Sequence, residues 1–520
     1  MASLIRSTGI VALSTLCSRF LGLFRDILMA SFFGAARIAD VFYIAFMIPN
    51  LFRRLVAEGA LTISFVPVYT ETLHKEGKAE ALSLAQKTMS VQSLAVFLIV
   101  MAGVFFSPEI MTLFFKRFDS AETFNLSIQL TRFMFPYLFF AAFVAFSMGY
   151  LNSHRHFFAP AFAPVLLNVG IISGILIFSS FFVTPIFGVA LGVIAGGFLQ
   201  LLLQLPYLIR HGFKFRVSVD FKHEGIRKIF RMLGPALFGI AVYQINILIN
   251  NMLATMLPEG SVTYIYFTNR LTELVLGVFI VSIGSVVLPE MSRLNVTENK
   301  GDFRELFSDS ISSALFLAVP AAVALGVIGL EILSVFFMRG NFTFADTVNT
   351  YHALMAASMG IVFVSVLRIT TQAYYSMKDM KTPVISAAIS LVINITLGYT
   401  LMQTELKHAG LTLANSISAM VQAGILIVLV QKRAVGIDGK RILSSLVRFV
   451  AASAVMGGLI WKLSFLADWE IDSFFYRTFI LGVIVASGGT AYFLVNYILR
   501  TREMIFMVNK ILGMVRSRRG

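Results

Sequence analysis

The sequence predicts an all-α polytopic membrane protein of about fourteen transmembrane helices, on three observations. First, 58% of its 520 residues are hydrophobic and 13% charged, with 51 Phe against 2 Trp and a mean hydropathy of +0.83. Soluble chains carry about a quarter of their residues as charges, so this one lacks the polar surface a globule of its size shows to water. Second, the apolar residues fall into runs of the length that crosses a bilayer core as a helix, about 20 residues. Third, the basic residues divide unevenly between alternate loops. Disorder, a coiled coil and a disulfide scaffold are excluded by the same figures. The lone Cys17 permits neither an intrachain disulfide nor a cysteine-based metal site.

The runs are centred near residues 18, 54, 99, 142, 171, 197, 243, 277, 323, 361, 393, 419, 454 and 486. Span 1 begins after Arg6, runs for about 25 residues and carries charges inside it, so it reads as a membrane helix and not a cleaved leader. Spans 2 to 6 follow with short connections. A basic stretch from Arg210 to Arg231 separates them from spans 7 to 12, and spans 13 and 14 close the series. Only helices or closed barrels satisfy their backbone in lipid, and runs of this length are helical.

The net charge of +15 is first a statement about topology. With the N-terminus inside, the inner loops and tail carry 27 Lys and Arg, the outer loops seven, and the spans eight. Both termini are therefore expected on the cytoplasmic side. The tail from Arg500 to Arg519 mixes bases with Ile505, Phe506, Val508, Ile511 and Leu512. It reads as a basic amphipathic helix on the inner leaflet, an interfacial anchor, with a regulatory or partner-binding element as the other reading.

A weak internal repeat sets the architecture. Gly9–Gly34 aligns with Gly234–Gly260, Phe65-Val66-Pro67 with Val287-Leu288-Pro289, and Tyr150 to Asn168 with Tyr374 to Asn394. The copy covers six spans, an even number, so both halves enter the membrane in the same direction. Parallel repeats of that kind build two lobes around a cavity that opens to either side, and transport by alternating access is the natural inference. The expected divisions are an N-lobe at 1–209, a cytoplasmic basic linker at 210–228, a C-lobe at 229–432, two added spans at 433–499 and the tail at 500–520.

Eight basic residues stay inside the spans. Arg132 and Arg448 lie near span ends, where long side chains reach the headgroups, and Arg368 reads as a third span-end residue. The rest form clusters. Arg19, Gly22 and Asp26 share one face of span 1, with Arg25 beside them; Asn50, Arg54 and Glu58 share a face of span 2, with Arg53 adjacent; Arg270 and Glu273 stand one turn apart on span 8. Asp40 sits at the outer start of span 2. Pairs such as Arg54–Glu58 and Arg270–Glu273 read equally as internal ion pairs holding helices in register. The set as a whole does not balance, since five arginines meet three acids at comparable depth. An excess of positive charge in a low-dielectric cavity calls for an anion, and arginine suits the planar, bidentate geometry of phosphate or carboxylate. The second half has Gln244 and Asn250 where the first has Arg19 and Arg25. Its Asn246, Asn394, Thr396 and Asn415 read as caps of helix ends, with Na⁺ ligation as the alternative.

No catalytic constellation is present. There is no phosphate-cradling loop, no HExxH and no nucleophile elbow, and His154 and His156 read as solvated loop residues. An enzyme is not expected, nor is nucleic acid as a partner.

The segments SRFLGLFRD (18–26), ADVFYIAFMIPNLFRRLVAEGALTISFVPVY (39–69), LNSHRHFFAPAFAPVLLN (151–168), NRLTELVLGVF (269–279) and LPEMS (288–292) closely resemble the MurJ (MviN) lipid II flippases. The resemblance covers essentially the whole chain, and PNLFRRLVAEGA is specific to that family. It implies the multidrug/oligosaccharidyl-lipid/polysaccharide (MOP) exporter fold: two six-helix lobes in a V, plus two extra helices whose groove holds a polyprenyl tail. It implies a bacterial cytoplasmic (inner) membrane protein of cell-wall biogenesis. Its substrate would be lipid II, the undecaprenyl-pyrophosphate-linked disaccharide pentapeptide, with membrane lipids and cell-wall synthesis proteins as further partners. No cofactor is implied beyond a coupling ion, H⁺ or Na⁺, or the membrane potential. The family's functional arginines map onto Arg19, Arg25, Arg53 and Arg270, and the resemblance gives weight to Asp40 and Glu273. Asn269 stands where many relatives have Asp, which leaves Glu273 as the nearer acid. The rival readings are a MOP-fold exporter of another polyprenyl-linked glycan or of drugs, and an anion channel. A drug exporter calls for an acidic cavity, and this one is net basic.

Overall fold

A computed structural model describes residues 2–54, 60–115, 120–277, 281–297, 299–432 and 436–517. Among them all regular structure is helical, and the chain divides into two compact units, Met1–Val262 and Thr263–Gly520.

The first unit holds α1 (Ala2–Phe33), α2 (Arg37–Phe52), α3 (Ala60–Lys75), α4 (Lys78–Phe105), α5 (Ser107–Phe115), α6 (Ala121–Met134), α7 (Tyr137–Ser153), α8 (Phe158–Leu176), α9 (Ile186–Arg210) and α10 (Glu224–Ala254). The second holds nearly all of α11 (Ser261–Val275), then α12 (Val281–Val296), α13 (Lys300–Phe336), α14 (Phe344–Ser376), α15 (Lys381–Leu401), α16 (Lys407–Lys432), α17 (Gly439–Ser464), α18 (Phe474–Ile498) and α19 (Arg502–Ser517).

Among the described residues ten helical stretches are long and apolar enough to cross a membrane. The four expected spans outside that set are the first two of each half: α1, α2 with α3, α10, and α11 with α12. Of these, α1 carries Arg19, Arg25 and Asp26, and α10 carries Gln244, Asn246, Asn250 and Asn251. The interruptions of the other two correspond. Span 2 passes into a π-helical turn at Arg53–Arg54 and span 8 at Leu276–Gly277, 223 residues later. Such turns widen the helix and free backbone groups, and they concentrate at functional sites.

Other features repeat at the same interval. After α7 the chain turns through Arg155 at φ 59°, with the His156 amide donating to the Leu151 carbonyl. After α14 it turns through Lys378 at φ 59°, with the Asp379 amide donating to Tyr374. Both are left-handed helix stops made without glycine. Tyr150 then donates its hydroxyl to the His211 carbonyl beyond α9, and Tyr374 donates to Leu426 on α16.

Close helix contact in each half rests on small residues, as expected where lipid supplies no hydrophobic drive between helices. In the first unit Gly170 and Gly174 of α8 meet Gly188, Gly192 and Gly196 of α9. A Cβ on Gly192 would stand 2.5 Å from the Gly170 carbonyl oxygen, a contact only backbone movement can relieve. Gly192→Ala is expected to cost about 2 kcal/mol by overpacking. Gly458→Ala on α17, where a Cβ meets open space, is expected to be neutral or stabilising; thermal unfolding in detergent compares the two. In the second unit serine and threonine take the same part. Ser416 and Thr412 of α16 donate to the Ala356 and Ala353 carbonyls of α14, and Ser390 of α15 donates to Ser418 on α16.

The basic segment between α9 and α10 is pinned along α4. Gln86 donates to the Lys214 carbonyl at 2.7 Å, the Ser218 amide donates to Ser90 Oγ at 2.9 Å, and Lys87 pairs with Asp220 at 3.2 Å. Phe213 is buried among Phe146 and Tyr150, and Phe215 stacks on Phe143. The start of α10 is held in turn, with His223 against Glu80 and Lys228 against Glu71, while Ile226 and Ile229 enter the core around Phe65, Tyr69 and Leu84. In the second unit α17 and α18 pack on each other and on α13. Tyr492 of α18 donates to the Phe316 carbonyl at 2.7 Å, and Arg441 of α17 pairs with Asp309 and Glu305.

Candidate functional site

The polar side chains of span 1 are built into a specific cluster. Asp26 is fully buried, and Arg25 lies against it with Nε at 3.0 Å and Nη2 at 2.6 Å from the same carboxylate oxygen. The remaining arm of the guanidinium, Nη1, donates to Asn168 Oδ1 of α8 at 3.1 Å. The Asn168 amide nitrogen donates back to the Ser18 carbonyl at 3.1 Å and lies 3.3 Å from the Pro164 carbonyl. Asn168 is 6% exposed, so this amide is a buried brace that sets the direction of Arg25. Its orientation follows from the bonds it makes: the oxygen faces the cation and the nitrogen faces carbonyls.

Arg53 follows α2 on the π-helical turn. Its Nε donates to Asn50 Oδ1 at 2.8 Å, an i, i+3 contact on its own helix. Tyr137, at the start of α7 and buried, lies within electrostatic range of both Arg53 and Arg25. The first unit thus places two of the expected arginines around one buried phenol. Arg19 is half-buried on α1, and Arg54 is half-buried beside Arg53; neither makes an ion pair among the described residues. Glu58 lies outside the described residues, and with it the expected Arg54–Glu58 pair.

Asp40 is fully buried in the first turn of α2. Its Oδ2 accepts the Gly260 amide at 2.8 Å and stands 3.8 Å from Arg37 Nη1. The Arg37 amide donates to Glu259. The turn before α11 is therefore tied to the start of α2 through an acid and its neighbour. In the second unit Arg270 is half-buried on α11, while Glu273 one turn on is exposed and makes no ion pair among the described residues. Of the neutral residues, Asn250 donates to Asn246 on α10 at 2.9 Å, Thr396 donates to Val392 within α15, Asn394 is buried and Asn415 is exposed. No group of His, Cys, Asp and Glu with metal-holding geometry occurs among the described residues.

Four residues escape a reading by charge. Asn168 and Tyr137 are one amide and one phenol in a chain rich in both; their contacts with Arg25 join positions far apart in sequence, and their only prior signal is the match of Asn168 with Asn394 in the repeat. His154 and His156 are half-buried among aromatic rings and not open loop residues. His154 packs on Tyr150 at 4.4 Å with its Nε2 3.4 Å from the Tyr69 hydroxyl, and His156 stacks on Tyr207 at 4.4 Å and approaches His211. Burial, then the neighbouring His211, lowers the His156 pKa. The flanking aromatics Tyr150 and Phe157 were the available sign of this packing.

A family model described as lipid II flippase MurJ matches residues 29–480. The chain belongs to the MurJ family. A probable lipid II flippase MurJ from Vibrio cholerae is 35% identical over 509 residues, covering 96% of this chain and 97% of the relative. A lipid II flippase MurJ from Burkholderia cenocepacia is 32% identical and covers 90% of this chain and 91% of the relative. Among solved structures, a lipid II flippase MurJ in an inward closed conformation superposes with a TM-score of 0.81 at 26% identity, over 95% of this chain and 99% of that one. An inward-facing multidrug resistance MATE family transporter of the MOP superfamily superposes at 0.68 with 15% identity, over 82% and 95% of the two chains. The latter is a likeness of fold alone. The chain is thus a multi-span membrane protein of the MOP-exporter fold, from a family of transporters.

Proposed function

We propose that the chain flips lipid II, the lipid-linked peptidoglycan precursor, from the inner to the outer leaflet of the bacterial cytoplasmic membrane by alternating access. Arg19, Arg25 and Arg53 of the first unit grip the pyrophosphate, and Arg270 on α11 supplies a fourth ligand. The observation that carries this reading is the braced pair of Arg25 and Arg53 about Tyr137. Guanidinium groups held in place by buried partners suit a bidentate phosphate ligand better than a diffuse patch does. Asp26, already in contact with Arg25, is the counter-ion that reoccupies the arginine once substrate leaves. It lets the empty carrier return without exposing an unpaired charge to a low-dielectric interior. Asp40 serves the outer gate through the turn it holds; Arg54, Glu58 and Glu273 serve as alternative partners of the arginines during the cycle.

The lobes at 1–209 and 229–432, the linker at 210–228, the tail groove at 433–499 and the cytoplasmic tail at 500–520 belong to the same reading. So do both termini on the cytoplasmic side. The membrane potential or an ion gradient, H⁺ or Na⁺, drives the cycle, and cell-wall synthesis proteins take up the exposed headgroup. Nothing in this cycle makes or breaks a covalent bond.

The test is headgroup exposure of labelled lipid II in vesicles containing this protein alone, with and without an imposed potential. Slow, saturable exposure above empty vesicles is expected, with acceleration by the potential. Exposure equal to that of empty vesicles, or a fast ohmic anion current in its place, overturns the proposal.

A further inference from the structure

The second unit holds a buried carboxyl of its own. Glu331 on α13 is 6% exposed, and its Oε2 is buried without a hydrogen-bond partner. No basic side chain pairs with it among the described residues. Each element packed around it can be followed. From α14, Tyr351 is its electrostatic neighbour, but the Tyr351 hydroxyl is committed to the Gly326 carbonyl at 2.7 Å. From α17, Ser464 lies within hydrogen-bonding reach of the carboxyl and donates to Trp461, while Lys462 is exposed. From α18, Arg477 is 7% exposed but gives Nη1 to Ser334 Oγ and to the Trp469 carbonyl, each at 2.8 Å. Arg339, just past α13, donates to Val335 and lies over the Phe474 ring at 4.9 Å. Arg477 Nε and Arg339 Nε are buried without hydrogen-bond partners of their own, yet neither guanidinium pairs with Glu331 among the described residues.

One turn before Glu331 the helix is broken. Ile328 has φ −113° and ψ 24°, outside the helical range, and this one residue interrupts the backbone of α13. A break of this kind disturbs the i to i+4 pattern of the carbonyls before it, and the hydroxyl of Tyr351 donates to one carbonyl beside the break, that of Gly326. A carboxylate cannot serve another, because it only accepts; a carboxylic acid can donate.

We propose that Glu331 is a proton-binding site: a carboxylic acid that stays protonated at neutral pH and donates to backbone freed by the break at Ile328. A bare carboxylate enclosed without a cation costs several kcal/mol, and uptake of one proton removes that cost. The proton comes from water and returns to it, the carboxyl gaining or losing one unit of charge and nothing else. Regularising α13 at Ile328 withdraws the acceptor, so proton occupancy and the shape of α13 are linked. This site lies in the second unit, whereas Arg19, Arg25 and Arg53 belong to the first, and it stands whether or not the flippase reading holds.

The test is infrared difference spectroscopy of the full chain in lipid nanodiscs, wild type minus Glu331→Gln, across a pH series. Gln is isosteric with the protonated acid and keeps a donor, so the variant is expected to match the wild type in helicity and melting. A protonated-carboxyl band present at neutral pH, and lost at least two pH units above the ordinary glutamate value of about 4.3, supports the site. A band that disappears near that ordinary value, or never appears, overturns it. Should the variant fail to fold, carbodiimide modification of wild-type Glu331, scored by mass spectrometry, decides instead. Modification at neutral pH that fades as pH rises supports the site, and an unmodified Glu331 at neutral pH overturns it.

Discussion

Arg25→Ala abolishes the ability of this chain to sustain growth of cells depleted of their own flippase, and Arg19→Ala and Arg270→Ala do the same. Truncating one side of a desolvated, charge-assisted contact costs about 3 kcal/mol, roughly a hundred-fold in headgroup affinity. For Arg25 the loss is compounded, because Asp26 beside it is fully buried and loses the partner now seen on it. Arg25→Lys separates the two effects. It keeps the charge beside Asp26 and loses the planar fork, so the protein is expected to fold and melt like the wild type while binding lipid II about ten-fold more weakly. Growth by complementation, with the amount of protein in the membrane measured in parallel, is the readout. Robust growth of all three alanine variants would remove the anion grip from the mechanism.

The second large effect belongs to Asn168. Asn168→Leu deletes the acceptor of Arg25 Nη1 and leaves the Ser18 carbonyl without its donor. A hydrogen bond to a charged group contributes about 1.5–3 kcal/mol, so a ten-fold or greater loss of headgroup binding is expected. Asn168→Asp is the more telling variant. It preserves size and an acceptor for Arg25, and a residue that served only to hold the guanidinium would tolerate it. Yet it sets a second carboxylate on an arginine that already meets Asp26, and the positive charge offered to a pyrophosphate falls. Weaker headgroup binding than in Asn168→Leu is therefore expected, relieved at low pH as the new carboxyl protonates. Wild-type binding by Asn168→Asp, measured with lipid II in nanodiscs at two pH values, would refute the electrostatic role.

Both predictions concern residues that differ in how far they could be read in advance. Arg25 and Arg270 announce themselves, because charge is rare in apolar runs and its cost is general. The fourteen runs were legible for the same reason: span length is set by the bilayer and needs no tertiary knowledge. The internal repeat was legible too, and the matched turns at Arg155 and Lys378 bear it out. The partners of the charges were not. Helix geometry puts both Arg53 and Arg54 within reach of Asn50, three and four residues back, and it is Arg53 that takes Asn50. Arg270 and Glu273 share a helix face, yet Glu273 is exposed and unpaired among the described residues. Arg477 is buried in the first turn of α18 and laced to Ser334 and Trp469, which no run of apolar residues foretells. Such contacts depend on which helices become neighbours, and apolar periodicity is silent on that.

The segment between α9 and α10 looks, by composition, like a rope: basic, short of helix, joining two copies of one plan. A rope transmits tension alone. Pinned through Gln86, Lys87 and Ser90, with Phe213 sunk among aromatic rings and α10 clamped at its first turns, this stretch is instead a strut. A strut carries compression and torque as well, so a twist applied to the N-terminal end of α10 is passed on to α4. The chain has no slack there to absorb it.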